Sequence, residues 1–115
     1  MQFLVVIMFL LISAFGMYIL NRKRNEKKDI IWLARMHGTA GLIGLFILFT
    51  GLVRGYWGDW VWLALGFFGI FIILSFVLFE KYFRKTKAPL FVFVVHGLVA
   101  VFCTGILIYS LILTN

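Results

Sequence analysis

The chain has 115 residues, is 64% hydrophobic and 13% charged, and carries a formal net charge of +7. A soluble domain has roughly a quarter of its residues charged, so a mean hydropathy of +1.11 argues against a water-covered surface and for a chain housed in lipid. The positive charge has no basic domain attached to it, which argues against a nucleic-acid partner.

Four apolar stretches, about 1–20, 30–53, 60–79 and 88–113, are each long enough to span a bilayer as a helix, since roughly 20 helical residues cross the hydrocarbon core. None alternates in polarity as a barrel strand does. The sequence therefore predicts an all-α, integral membrane four-helix bundle, with 1–115 as a single transmembrane domain. The first stretch begins Met1-Gln2-Phe3 without a basic leader, and its apolar run is too long for a cleavable signal peptide. It is expected to stay as the first helix. A basic segment follows, with Arg22, Lys23, Arg24, Lys27 and Lys28. Asp29 is placed to cap the second helix, because its carboxylate can accept from the free N–H groups of the first turn. Arg35, His37 and Gly38 lie early in that helix.

The connection Gly55-Tyr56-Trp57-Gly58-Asp59-Trp60 reads as a tight turn at the opposite face. Its aromatics, with Trp62, are expected in the interfacial belt, as are Trp32 and Tyr82 on the other side. After the third helix comes a second basic segment, Lys81, Arg84, Lys85 and Lys87. Thr86 or Lys87 is the expected boundary, and Pro89 suits the first turn of the fourth helix, where its missing N–H costs nothing. Counting Arg35 with its neighbouring loop, ten of the eleven Lys and Arg lie on one side and only Arg54 on the other. The positive-inside bias then puts both basic loops in the cytoplasm and both termini outside (N-out/C-out). The expected location is a bacterial inner membrane, crossed several times. The basic loops also suit anionic lipid or an acidic partner.

The two halves correspond at an offset of 59 residues, which brings His37-Gly38 onto His96-Gly97 and one basic loop onto the other. Leu4/Leu63, Phe9/Phe68, Ile47/Ile106, Leu48/Leu107 and Leu52/Leu111 also match. So few matches in so apolar a chain are close to chance. The loops and the histidine depths are the better signs of a tandem duplication of a helical hairpin, which would relate the halves by an axis along the membrane normal.

His37 and His96 are the only histidines, and an ionisable side chain inside a membrane is by default a functional-site hypothesis. Seven residues separate Ile30 from His37 and Pro89 from His96. At 1.5 Å per residue, both imidazoles sit roughly 10 Å into parallel helices, at one level. Steps of 4, 7, 11 and 14 keep to one helix face. From His37 they meet Gly41, Gly44, Leu48 and Gly51; from His96 they meet Ala100, Cys103, Leu107 and Ser110. Small residues near each histidine, with Gly38 and Gly97 thinning the backbone, leave room for a flat macrocycle. In an up-and-down bundle the second and fourth helices are diagonal, roughly 11–14 Å apart given neighbour spacings of about 8–10 Å. Two histidines ligating one metal from opposite sides need a Cα separation of about 13 Å, with metal–nitrogen bonds near 2 Å.

The cofactor these residues suggest is a non-covalent haem b with His37 and His96 as axial ligands. Gly38, Gly41, Gly44, Gly97, Ala100 and Cys103 would line it, with Phe9, Phe15, Phe67, Phe68 and Phe71 closing the sides. Arg35, Lys28 or Lys87 would face its propionates, although Arg35 lies about 200° around the helix and can instead snorkel to the interface. Cys103 has no internal disulfide partner and no Cys-x-x-Cys-His context. Zinc is disfavoured, because two ligands are too few.

On His37, His96, their glycines and the helix count, the chain resembles four-helix b-type membrane cytochromes of the cytochrome b561-like class. That resemblance implies electron transfer rather than stand-alone enzyme activity. Members of that class hold haems on both sides of the membrane with four histidines, whereas this chain has two on one side. It would need a quinone as a further cofactor, a redox partner in a larger membrane complex, or a homo-oligomer to complete an electron path. Two other readings stand beside it. One is a non-catalytic small membrane subunit or assembly factor whose small residues simply pack helices. The other is a proton relay or transporter, for which Gln2, Ser13, Thr39, Thr50, Ser75, Thr104 and Ser110 are too scattered along the sequence to define a path.

Overall fold

The computed structural model describes residues 1–24, 30–83 and 90–114. They form four helices: α1 (Gln2–Arg24), α2 (Ile30–Val53), α3 (Trp60–Phe83) and α4 (Leu90–Thr114). The expected caps at Asp29 and Pro89, and Lys27, Lys28 and Arg84 to Lys87, lie outside the described residues. α1 and α3 run about a turn further than the apolar pattern predicts, carrying the helix into the first basic residues. Lys and Arg are good helix formers, so charge alone does not end a helix.

Three segments, Gln2–Arg22, Trp32–Val53 and Val94–Leu113, are long and apolar enough to cross a membrane. In α3 the described apolar run is Trp60–Ser75. The outside of the bundle is apolar as well: Leu11, Phe46, Ile73, Val101 and Leu113 are all exposed. A helix that is apolar all round belongs in a membrane or a protein interior, so these features fit a membrane protein. The long dimension of 44 Å compares with about 40–45 Å for a bilayer with its headgroups.

α1 packs on α2 and α4, and α3 packs on the same two, so among the described residues α2 and α4 are diagonal and so are α1 and α3. The core runs along the bundle axis through Val5, Phe9, Leu48, Val61, Ala64, Phe68, Phe71, Cys103 and Leu107. Phe9 and Phe68 stack face to face across the α1–α3 diagonal, with ring centres 4.8 Å apart. The sequence stripes are the buried stripes: Gly44, Leu48 and Gly51 on α2 and Cys103, Leu107 and Ser110 on α4 are buried.

The turn between α2 and α3 is closed by local chemistry. Gly55 adopts φ +75°, the left-handed conformation that favours glycine. Tyr56 N–H donates to the Gly51 carbonyl at 2.9 Å and Gly55 N–H to that of Leu52 at 3.0 Å, which satisfies the last carbonyls of α2 in a Schellman arrangement. The Gln2 side-chain amide donates to the Tyr56 carbonyl, tying the start of α1 to this turn. Tyr56, Trp60 and Trp62 are exposed, as an interfacial belt requires, but Trp57 is only 7% exposed. Its indole lies over Gly51, where an added Cβ would stand 2.9 Å from Nε1. Trp57 thus plugs this end of the core and does not anchor the surface. Trp57→Ala should cost about 3 kcal/mol, in the range of large aromatic truncations, and Trp60→Ala far less. Thermal unfolding in detergent micelles, followed by circular dichroism, checks this ordering.

Candidate functional site

His37 on α2 and His96 on α4 face each other across the bundle, with ring centres 6.3 Å apart and planes at 61°. The level predicted from helix spacing is therefore the level at which the two rings meet. Diagonal helices can touch only through long side chains directed inward, and here imidazoles fill that role at one end of the core.

Each ring has its own wall. Phe71 of α3 meets His96 edge-on at 4.6 Å, and Phe68 continues that wall, 6.0 Å from Phe71. Phe15 of α1 lies 6.0 Å from His37, and the backbone of Ile12 is beside the same imidazole. Gly16 lets the His37 ring lie close against α1: a Cβ added there would be 2.9 Å from Cε1 and 3.3 Å from Nε2. Sequence reasoning singled out neither Gly16 nor the contact of Phe71 with His96. Both depend on how neighbouring helices are registered, which the periodicity of a single helix does not carry.

Both Nδ1 atoms, of His37 and of His96, are buried and without a hydrogen-bond partner. Buried polar atoms are nearly always paired, so these two are exceptions that ask for an explanation. Among the described residues no three His, Cys, Asp or Glu side chains come together as a metal-binding group. The pair can offer two nitrogens to a ligand and nothing more.

The other predicted site residues divide into groups. Gly41, Gly97 and Ala100 are half-buried on the histidine-bearing helices, and no atom lies within 4 Å of a Cβ built at Gly41 or Gly97. Gly38 is equally open but exposed on the outside of the bundle. Gly44 is filled: Met8, Phe9 and Ile12 would lie 3.2–3.4 Å from a Cβ there. Cys103 is fully buried, with its thiol 3.7 Å from the Ala64 carbonyl it donates to. Arg35 is exposed, two residues before His37, which puts it about 200° around the helix from the pair. Lys28 and Lys87 lie outside the described residues. Gly41 and Gly97 are thus open positions on the histidine-bearing helices, whereas Gly44 serves the packing of α1 on α2.

No protein-family model, curated protein or solved structure matches this chain. The site must be read from its own geometry. Gly16→Ala should force the His37 ring off α1 and cost about 1–3 kcal/mol, as overpacking does. Ring resonances of His37 in a histidine-labelled NMR spectrum should move more than those of His96.

Proposed function

We propose that this chain is an integral membrane b-type cytochrome that holds one haem between His37 and His96. It would relay single electrons between a membrane quinol and a partner protein, or serve as the haem-bearing subunit of a respiratory complex. The observation that carries this reading is the facing pair of imidazoles. Two imidazoles bonded to one metal from opposite sides, with bonds near 2 Å and about 1.1 Å more to each ring centre, have centres roughly 6 Å apart. The measured 6.3 Å agrees with that figure. A haem would supply the remaining metal ligands itself, which suits a site with only two protein ligands. Each imidazole keeps a buried Nδ1 without a protein partner, so the pair has binding capacity that the protein itself does not use.

Haem, when bound, supplies reversible one-electron transfer, and the chain supplies its environment. His37 and His96 would fix the iron from two helices. Phe15, Phe68 and Phe71 would keep water away and hold the rings apart. Gly41 and Gly97 provide open backbone on either side. A haem held by both His37 and His96 would keep no ligand position open for oxygen and would suit electron transfer.

Several finer features belong to the same proposal. The basic segments after α1 and α3 face the cytoplasm, both termini lie outside, and the membrane is a bacterial inner membrane. The two hairpins derive from a tandem duplication. Phe9/Phe68 and His37/His96, each 59 residues apart, meet across the bundle axis, and Leu48 and Leu107, at the same offset, are both fully buried. Equivalent residues meeting on one line are what a two-fold axis along the bundle produces.

A second reading, a non-catalytic subunit or assembly factor, draws on one observation. Gly44 and Gly51 are used for close packing by Met8, Phe9, Ile12 and Trp57, as small residues are in membrane helices generally. Colour separates the two readings. Protein purified from haem-replete cells should be red, with a reduced-minus-oxidised spectrum of a six-coordinate b-type haem. His37→Ala and His96→Ala should each abolish that spectrum while leaving the helical circular dichroism. A colourless wild-type protein would favour the second reading. Reporter fusions at both termini test the orientation, and both should report the outer side.

A further inference from the structure

The offset of 59 residues that brings His37 onto His96 brings Ile12 onto Phe71 and Gly16 onto Ser75. The structure keeps the first of these equivalences in space. Ile12 of α1 lies beside His37, and Phe71 of α3 lies against His96 at 4.6 Å. Gly16, one turn on from Ile12, is in contact distance of the His37 ring. Ser75 is one turn on from Phe71, on the same face of its helix, and is half-buried. The two hairpins therefore carry different groups at equivalent positions: a glycine against the His37 ring, and a serine one turn from the Phe71 that meets His96.

The Nδ1 of His96 is buried and unpaired. We propose that Ser75 is a positioning residue that accepts a hydrogen bond from His96 Nδ1–H and makes the two imidazoles chemically unequal. The bond is not formed in the structure. A serine hydroxyl swings about a single side-chain torsion among staggered positions, and the proposed bond selects one of them. The acceptor fixes His96 in the tautomer whose Nε2 lone pair is free, and it raises the basicity of that nitrogen. His37, with no side chain at position 16, has the Ile12 backbone as its hydrogen-bond partner instead. As a ligand, His96 bonded to Ser75 would be a stronger donor than His96 without that bond and would favour the oxidised iron. This consequence for a metal rests on the haem reading above; the hydrogen bond itself does not.

The test has two arms for that reason. In haem-free protein labelled with ¹⁵N-histidine, His96 should show a protonated, hydrogen-bonded Nδ1. Ser75→Ala should remove the hydrogen-bond shift at His96 and leave His37 unchanged. Ser75→Gly, which copies Gly16, should do the same, and Ser75→Thr should restore the wild-type signal. In haem-loaded protein, Ser75→Ala should bind haem fully and raise the midpoint potential, with Ser75→Thr returning it to the wild-type value. An unchanged His96 signal in both Ser75→Ala and Ser75→Gly would overturn the proposal. So would a Ser75→Ala potential equal to wild type in protein that carries haem. If the wild type binds no haem, the cytochrome reading falls and the NMR arm alone decides the hydrogen bond.

Discussion

An imidazole taken out of water loses hydrogen bonds at both ring nitrogens, and this bundle takes two imidazoles inside at one level. Each unpaired nitrogen costs on the order of 1–3 kcal/mol. Few packing arrangements bear that cost without some return. Phe71 presents an edge to His96, Phe15 flanks His37, and Gly16 gives up its side chain so that a ring can lie against α1. The α2–α4 diagonal, which in a simpler bundle would be filled by two leucines, is bridged by polar rings at one end. At the other end it is filled by Leu48 and Leu107.

Glycine serves opposed ends within a single helix. At Gly44 and Gly51 it brings neighbouring side chains in, so the bundle is tight towards the end that Trp57 closes. At Gly41, a turn from His37, nothing approaches. Membrane helices gain no hydrophobic driving force from meeting one another, so their association rests on such close contacts. A bundle sealed by Trp57 and stacked through Phe9 and Phe68 can hold a looser, more polar region at its other end without coming apart.

The helix count, three of the four expected spans and the buried stripes were legible in the sequence. Apolar length and a 3.6-residue period are local properties, and the stripe through Gly44, Leu48 and Gly51 is the face that the bundle buries. The level of His37 and His96 was legible too, because counting from two helix starts fixes a height. Contacts between helices were not. Whether Gly16 or Ser13 faces His37 depends on the rotation and slide of α1 against α2. Trp57 was misjudged for a related reason: in a sequence, an aromatic at a membrane edge reads the same whether it turns outward to the interface or inward over a glycine. Five matched apolar positions were weak as letters, and that Phe9 lies on Phe68, at the same offset as His37 and His96, is a spatial relation that letters do not carry.

The distribution of the two histidines has a consequence for biogenesis. α1 and α2 carry one imidazole, α3 and α4 the other, and a chain made from its N-terminus completes the first hairpin before the second. The first hairpin can pack on itself, but it holds one half of the histidine pair. Only when α4 docks between α1 and α3 does the second ring arrive opposite the first. A chain halted partway exposes a single histidine with no counterpart, so the site is created in one step, by the same docking event that completes the bundle.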